Sequence, residues 1–331
     1  MFATKSFLGL SKSSITKSCN RQLKSFNRQL SSISNVGVIG LGLMGHGIAQ
    51  ISASSGYKVT VIESSEELLA KGMDRINNSL DLVNKRGIKK GTLTPEEAES
   101  NKQRILSNIT TKSCNIEDIH NCDLIVEAII ENMDIKLDFY KNLKAKNVVK
   151  DSAIIGSNTS SLQITKMAEA FGSPDRFVGL HFFNPVQIMK LVEIVKTKDT
   201  SASTLDAVTE YTKNIGKTSV TCTDTPGFIV NRLLVPYLAQ AMAMVDREVA
   251  SLEDIDISMK LGAGHPMGPL HLADYIGLDT CHSILVGWTA EFPDEPAFMI
   301  PKCLDEMIKK GHYGRKTGQG FYKWEGDKII N

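Results

Sequence analysis

The residues from Gly179 to Val195 read GLHFFNPVQIMKLVEIV. This apolar run holds one imidazole, His181, an Asn184-Pro185 step and, twelve residues beyond the imidazole, the carboxylate of Glu193. An imidazole changes charge near neutral pH, so a histidine so placed is a candidate general base or acid. A lone histidine in an apolar strand is more often a residue that simply packs. HFF and KLVEIV read as two strands of a hairpin centred near Gln187, which would set His181 opposite Glu193. A carboxylate there fixes the imidazole tautomer and stabilises its protonated form. The other reading has Glu193 facing solvent on its strand.

A second constellation lies near the start of the chain. Gly40-Leu41-Gly42-Leu43-Met44-Gly45 fits G-x-G-x-x-G between a short apolar run and a helical pattern. The first glycine permits the tight turn, the second lets a pyrophosphate approach the backbone, and the third lets helix and strand pack closely. The helix N-terminus offers unpaired N–H groups to phosphates. Glu63, at the end of the next strand, is set to accept hydrogen bonds from the adenosine ribose and to repel a 2′-phosphate, which favours NAD over NADP. The turn alone also accommodates FAD. His46, just inside the helix, reads as a bystander near the phosphates. A nicotinamide-dependent alcohol oxidation needs a base for the hydroxyl proton, and His181 is the candidate.

These residues need a sheet to hold them. Val36–Ile39, a helix to about Ser55 and Tyr57–Ile62 make a βαβ unit, hence a parallel sheet. Further strands are predicted at Arg104–Ile109, Asp123–Ile130 and Ser152–Asn158. Residues 64–102 read as a helical excursion, with NKRGIKKG interrupting two helices. After Ser219–Phe228 the apolar residues fall at helical spacing and strand patterns cease. The predicted fold is α/β, a Rossmann-like doubly wound sheet with a helical excursion, followed by an all-helical C-terminal domain. The predicted divisions are a leader at 1–34, a dinucleotide-binding domain at 35–223 and a helical domain at 224–331, with the boundary at the Pro226-Gly227 turn.

Composition narrows the function classes. Hydrophobic content of 42% and charge of 23% are those of a soluble globular chain. No apolar stretch approaches the ~18 residues that cross a bilayer, so no membrane partner is expected. Residues 1–34 hold six basic residues, nine serines and no acid, the composition of a mitochondrial transit peptide with cleavage between Arg28 and Asn35. A basic tail that is never removed is the alternative. The remainder carries 32 basic and 37 acidic residues, which argues against a nucleic-acid partner. The six cysteines form no C-x-x-C pair and no metal-ligand spacing, and read as packing residues.

VIGLGLMGHGIAQ, EAIIEN, SNTSSL, GLHFFNPV, KLVEIV, DTPGFIVNRLLVPYL, GAGHPMGP and KTGQGFY follow one another between Val36 and Tyr322. Together they resemble the mitochondrial short-chain L-3-hydroxyacyl-CoA dehydrogenase family. The resemblance implies oxidation of (S)-3-hydroxyacyl-CoA to 3-oxoacyl-CoA with NAD in fatty-acid β-oxidation, in the mitochondrial matrix. It implies His181 as base, Glu193 as its partner, and Ser160 and Asn231 beside the reacting oxygen. It implies further NAD contacts at Glu131, Lys136, Asn184 and Lys316, and substrate contacts at Ser79 and Arg86, with Lys85, Lys89 and Lys90 adding charge. Arg86 stands where the family usually has lysine, and Glu63 where it usually has aspartate. A homodimer through the C-terminal domain is implied as well; NRLLVPYLAQAMAMV is apolar enough to serve an intrachain core, a partner surface or both. Two rivals stay open: a dehydrogenase of free 3-hydroxy acids, which would normally use a lysine base, and a non-catalytic NAD-binding protein.

Overall fold

A computed structural model describes residues 33–330. The predicted leader and its cleavage site therefore fall, but for residues 33 and 34, outside the described part. Two compact units divide the chain: Ser160–Gln163 with the chain from Asp224 on form one, and the rest forms the other.

The first unit is built on one eight-stranded sheet. Its strands are β1 (Asn35–Ile39), β2 (Lys58–Ile62), β3 (Ile109–Ser113), β4 (Leu124–Glu127), β5 (Ile154–Ser157), β6 (Phe177–Phe182), β7 (Leu191–Lys196) and β8 (Thr218–Thr223). The order across the sheet is β3-β2-β1-β4-β5-β6-β7-β8. β3 through β6 run parallel; β7 turns back antiparallel on β6, and β8 runs parallel to β7. Every residue of β4, β5 and β6 is buried, as expected of a parallel sheet covered on both faces by helices. The strand order reverses between β1 and β4. In doubly wound sheets that switch point opens a crevice at the carboxyl ends of the strands. Ile39, Glu127 and Ser157 stand in register along that edge.

The strand predicted at Arg104–Ile109 is helix instead. Thr94 accepts from the backbone of Glu97 while the Glu97 carboxylate accepts from Thr94 N, and Pro95 takes the first helical position. This capping box starts a helix that runs to Asn108, and the strand begins only at Ile109. The predicted break at NKRGIKKG also moves. The preceding helix, α2 (Glu66–Lys89), runs through Asn84–Ile88 and ends before Gly91, which has φ +69°. With α1 (Gly45–Ser54) named for the helix after the glycine turn, the capped helix Pro95–Asn108 is α3. The strand predicted at Asp123–Ile130 shortens to Leu124–Glu127: past it the Ile129 N–H donates to the Glu127 carboxylate instead of to a neighbouring strand, and before it stands Asp123. Its carboxylate accepts from Ser34 N, Asn35 N and Lys150 Nζ.

The second unit carries α7 (Val230–Asp246), α8 (Leu252–Gly262), α9 (Pro269–Ile276), α10 (Leu278–Glu291) and α11 (Lys302–Lys309); α4 (Met133–Lys146), α5 (Ile164–Phe171) and α6 (Ala202–Asn214) belong to the first. The second unit is not all helix. A hairpin of β9 (Lys323–Glu325) and β10 (Lys328–Ile330) turns at Gly326. Ser160–Gln163, predicted with the sheet domain, groups with this unit. Two buried acids organise it. Asp256 on α8 accepts from Leu270 N and His271 N, capping α9 where its own N-cap residue, Gly268, has no side chain to do so. Asp274 on α9 accepts from Phe321 N, Tyr322 N and Trp324 Nε1, and so fixes the KTGQGFYKW segment.

Candidate active site

The glycine turn has the shape a dinucleotide needs. Gly40 holds φ +87°, and a Cβ there would meet the Ala128 carbonyl oxygen at 2.7 Å. A Cβ on Gly45 would lie 1.7 Å from the Gly40 carbonyl oxygen. Both positions require glycine for close packing. Gly42 differs: a Cβ there would have no neighbour within 4 Å. Its bareness leaves open the approach that a phosphate would take. α1 starts with no side-chain cap and no acid in its first turn, so its first N–H groups remain available to an anion. Leu43 is exposed beside the turn, while Leu41 is buried.

Beside the turn lies a cleft of about 710 Å³, lined by Gly40, Gly42, Glu63, Arg75 and Ile129 among others. Glu63 follows β2, and its Oε2 accepts from Leu41 N at 2.8 Å while Oε1 accepts from Ser64 N at 2.8 Å. The carboxylate is thereby held in the wall of the cleft, just past the end of β2. Bare Gly42, the open helix N-terminus and the held carboxylate fit NAD. Cys114 lines the same cleft and is exposed, so it is not the packing residue expected, whereas Cys122 and Cys281 are buried.

His181 and Glu193 are direct partners in the antiparallel ladder of β6 and β7. His181 Nδ1 and Glu193 Oε2 are 2.7 Å apart, with the Glu193 side chain wholly buried and that of His181 8% exposed. Glu193 does not face solvent. A carboxylate only accepts, so Nδ1 carries the proton and the tautomer is set. The Phe183 ring lies against the imidazole, tilted by 42° with centroids 4.3 Å apart. The loop between the two strands is tied on both sides. Lys217 Nζ, buried at the base of β8, donates to the carbonyls of Val186 and Met189. Burial, and then the charge of Lys190, push the Lys217 amine below its ordinary value. On the other side, the Gln187 amide donates to Gln50 Oε1 at 3.0 Å and faces His46 Nε2 at 3.3 Å, while His46 Nδ1 meets the Gly42 carbonyl at 2.9 Å. His46 thus joins the glycine turn to the hairpin loop. Asn184, in a cis peptide with Pro185, is exposed on that loop.

Behind the strand ends lies a buried network on Glu127. Its Oε1 accepts from Lys136 Nζ at 2.6 Å and Ile129 N at 2.8 Å; its Oε2 accepts from Ser157 Oγ at 2.7 Å and Tyr140 Oη at 2.8 Å. Burial, then the Glu127 charge, hold the Tyr140 phenol well above its ordinary value. Lys136 also reaches the Asn158 carbonyl at 3.4 Å, and Asn158 Oδ1 accepts from Phe182 N beside His181. The structure therefore puts Lys136 inside an ion-paired core. Glu131 is partly exposed; its Oε1 accepts from Thr159 Oγ1 at 2.6 Å, and its Oε2 is 3.5 Å from Lys136 Nζ. Glu127 opens the EAIIEN motif, but nothing in that motif shows it as a hub, because its four partners lie between 2 and 30 residues away.

In the second unit, Asn231 Nδ2 donates to the Ser160 carbonyl at 3.2 Å, bringing those two residues together at the start of α7. Lys316 Nζ pairs with Asp279 Oδ2 at 2.5 Å, and both side chains are partly exposed. On α2, Ser79 is half-buried and Lys85, Arg86 and Lys89 are exposed, as is Lys90 just past its end. Arg75, Ser79 and Arg86 fall on one face of that helix by their spacing.

A doubly wound sheet whose switch point carries this turn, an open helix N-terminus and a held acid defines a dinucleotide-binding oxidoreductase. Two family models match the chain: the 3-hydroxyacyl-CoA dehydrogenase NAD binding domain over residues 35–225 and the 3-hydroxyacyl-CoA dehydrogenase C-terminal domain over residues 227–324. The mitochondrial hydroxyacyl-coenzyme A dehydrogenase of Sus scrofa is 46% identical over 88% of this chain and 92% of its own length. The human enzyme of the same name is 45% identical over the same shares. The solved structure of (S)-3-hydroxybutyryl-CoA dehydrogenase from Ralstonia eutropha is 41% identical, with a TM-score of 0.82 over 89% of this chain and all of that one. The chain belongs to the 3-hydroxyacyl-CoA dehydrogenase family, and its cofactor is NAD.

Proposed function

We propose that this protein oxidises (S)-3-hydroxyacyl-CoA to 3-oxoacyl-CoA in fatty-acid β-oxidation, with His181 as general base and Glu193 as its partner. The observation that carries the reading is the 2.7 Å contact between His181 Nδ1 and Glu193 Oε2 at a buried, directly paired ladder position. NAD, when bound, accepts the hydride from C3. With Nδ1 committed to Glu193, Nε2 is the ring nitrogen that takes the hydroxyl proton. The Glu193 carboxylate then stabilises the imidazolium that forms. Ser160 and Asn231 hold the reacting oxygen by hydrogen bonds, which favours attack geometry over free rotation.

The remaining assignments follow the same reading. Glu131, Asn184 and Lys316 contact NAD directly. Lys136 acts on NAD through Glu127 and Glu131. Ser79 and Arg86 meet the CoA moiety from α2, where an arginine can grip a phosphate through two N–H groups. Leu233, Val249, Ile257 and Leu261 are exposed apolar side chains of the helical unit, and a second copy of this chain would cover them. Placement in the mitochondrial matrix rests on the basic, serine-rich, acid-free residues 1–34 and on the mitochondrial names of the mammalian relatives. The test compares NAD reduction with (S)-3-hydroxybutyryl-CoA and with free 3-hydroxybutyrate. Turnover of the thioester alone supports the proposal; turnover of the free acid alone, or of neither while NAD binds, overturns it.

A further inference from the structure

On the reading of His181 as base, we infer that His46 is a positioning residue that, through Gln187, couples NAD binding at the glycine turn to the alignment of that base. The link is a chain of hydrogen bonds within the first unit. The Gly42 carbonyl only accepts, so His46 Nδ1, 2.9 Å away, carries the proton and donates. Nε2 is left to accept, and the Gln187 amide nitrogen faces it at 3.3 Å. The other N–H of that amide goes to Gln50 Oε1 at 3.0 Å, and Gln50 is buried. Every group in the chain thus runs in one direction, from the loop towards the turn. Reversing the imidazole or the Gln187 amide would set donor against donor or acceptor against acceptor.

Packing backs the hydrogen bonds at the loop. Gly47, the next residue of α1, is pressed onto it: a Cβ there would come within 2.7 Å of Val186 Cβ and 3.3 Å of Gln187 Nε2. Val186 is buried, and its carbonyl is held in turn by Lys217 Nζ at the base of β8. The turn is built the other way. A Cβ on Gly42 would meet nothing within 4 Å, so this residue is open on its side-chain face and keeps the backbone freedom of glycine. Gly42 is therefore the part of the turn that a bound phosphate would steady, and His46 is the side chain that holds its carbonyl. At its other end the loop begins with Phe183, whose ring lies 4.3 Å from the imidazole of His181 between centroids. A shift of the loop moves a wall of the base, and a misplacement of about 1 Å costs about 10²-fold in rate.

The test follows amide hydrogen exchange at Ile188 and Met189 in the full chain, with and without saturating NADH. Both amides donate to the Pro185 carbonyl inside the loop. The variants are His46→Asn, which keeps a donor for Gly42 but falls short of Gln187, Gln187→Leu, their combination, and His46→Gln. His46 and Gln187 are partly exposed, so the variants keep the fold. In the parent NADH is expected to slow this exchange by about fivefold or more, and in His46→Asn and Gln187→Leu by less than about twofold. The combination should lose no more than either change alone. His46→Gln, whose amide oxygen reaches the place of Nε2, should recover part of the protection. NADH affinity should fall by the factor that the protection loses, as linkage requires. The turnover number with (S)-3-hydroxybutyryl-CoA should fall by about tenfold, with KM within about twofold. A merely structural role would speed exchange alike with and without NADH; an unchanged ratio therefore overturns the inference. Protection lost at an unchanged turnover number overturns it too. His181→Ala should keep the protection. A parent-like rate in that variant overturns the reading of His181 as base, while the protection ratio still decides the role of His46.

Discussion

Glu193 Oε2 sits 2.7 Å from His181 Nδ1 across a directly paired position of β6 and β7, and the glutamate side chain is completely buried. A buried carboxylate is costly unless something compensates it. Glu193→Gln keeps the size and one hydrogen-bonding oxygen but removes the charge that favours a protonated ring. Turnover is expected to fall by about 10²-fold or more, with NADH affinity unchanged, because a positioned base contributes roughly 10²–10⁴-fold. Steady-state rates together with NADH titration separate the two effects.

The Glu127–Lys136 pair is predicted to matter for stability before it matters for NAD. Both side chains are fully buried, and their charged atoms are 2.6 Å apart. Removing one partner of such a pair leaves an uncompensated buried charge, a cost of about 3–5 kcal/mol. Lys136→Met and Glu127→Gln should each lower the midpoint of urea unfolding. Their combination should be less destabilising than the two single losses added together. Full additivity would mean that the pair is not coupled.

Asp123 makes the stability of the first unit depend on pH. Burial alone would raise its carboxyl, but the Lys150 hydrogen bond, the backbone N–H groups of Asn35 and Ser34 and the Lys150 charge outweigh it, and the result lies below the ordinary 3.8. A carboxyl depressed on folding adds stability above its unfolded value and loses it as pH falls through the folded value. Asp123→Asn should therefore cost stability at neutral pH, and the difference from the parent should shrink as the pH drops below 3.8. Urea midpoints measured from neutral to acid pH check this. A difference that grows on acidification would contradict it.

Lys217 ties down the loop between His181 and Glu193 through the Val186 and Met189 carbonyls. Lys217→Met keeps the bulk and removes the donors, each worth about 1.5–3 kcal/mol to a charged group. Faster hydrogen exchange is expected at Ile188 and Met189, whose N–H groups both donate to the Pro185 carbonyl within this loop. Exchange at the β1 amides should not change.

Short-range order was legible in the sequence. The βαβ start follows from apolar runs and glycines close together, and the His181–Glu193 pairing follows from a hairpin only twelve residues wide. What could not be read depends on contacts far apart along the chain. Asp274 binds groups 47 to 50 residues away, Asp256 caps a helix it does not belong to, and Glu127 gathers partners from α4, β5 and the loop after its own strand. No local pattern marks an acid as the hub of such contacts. The strand misread at Arg104–Ile109 has a different origin. Its end is strand, but the capping box at Thr94 drives the helix through the rest. The β9–β10 hairpin, with strands of three residues, is too short for alternation to register.

The central claim is that His181 takes the substrate proton. The direct measurement is single-turnover reduction of NAD by (S)-3-hydroxybutyryl-CoA in the parent and in His181→Ala, with NADH binding and the unfolding midpoint recorded for both. The account predicts a rate loss of about 10²–10⁴-fold at unchanged NADH affinity and an intact fold. A His181→Ala variant that turns over at the parent rate would contradict it and move the base elsewhere.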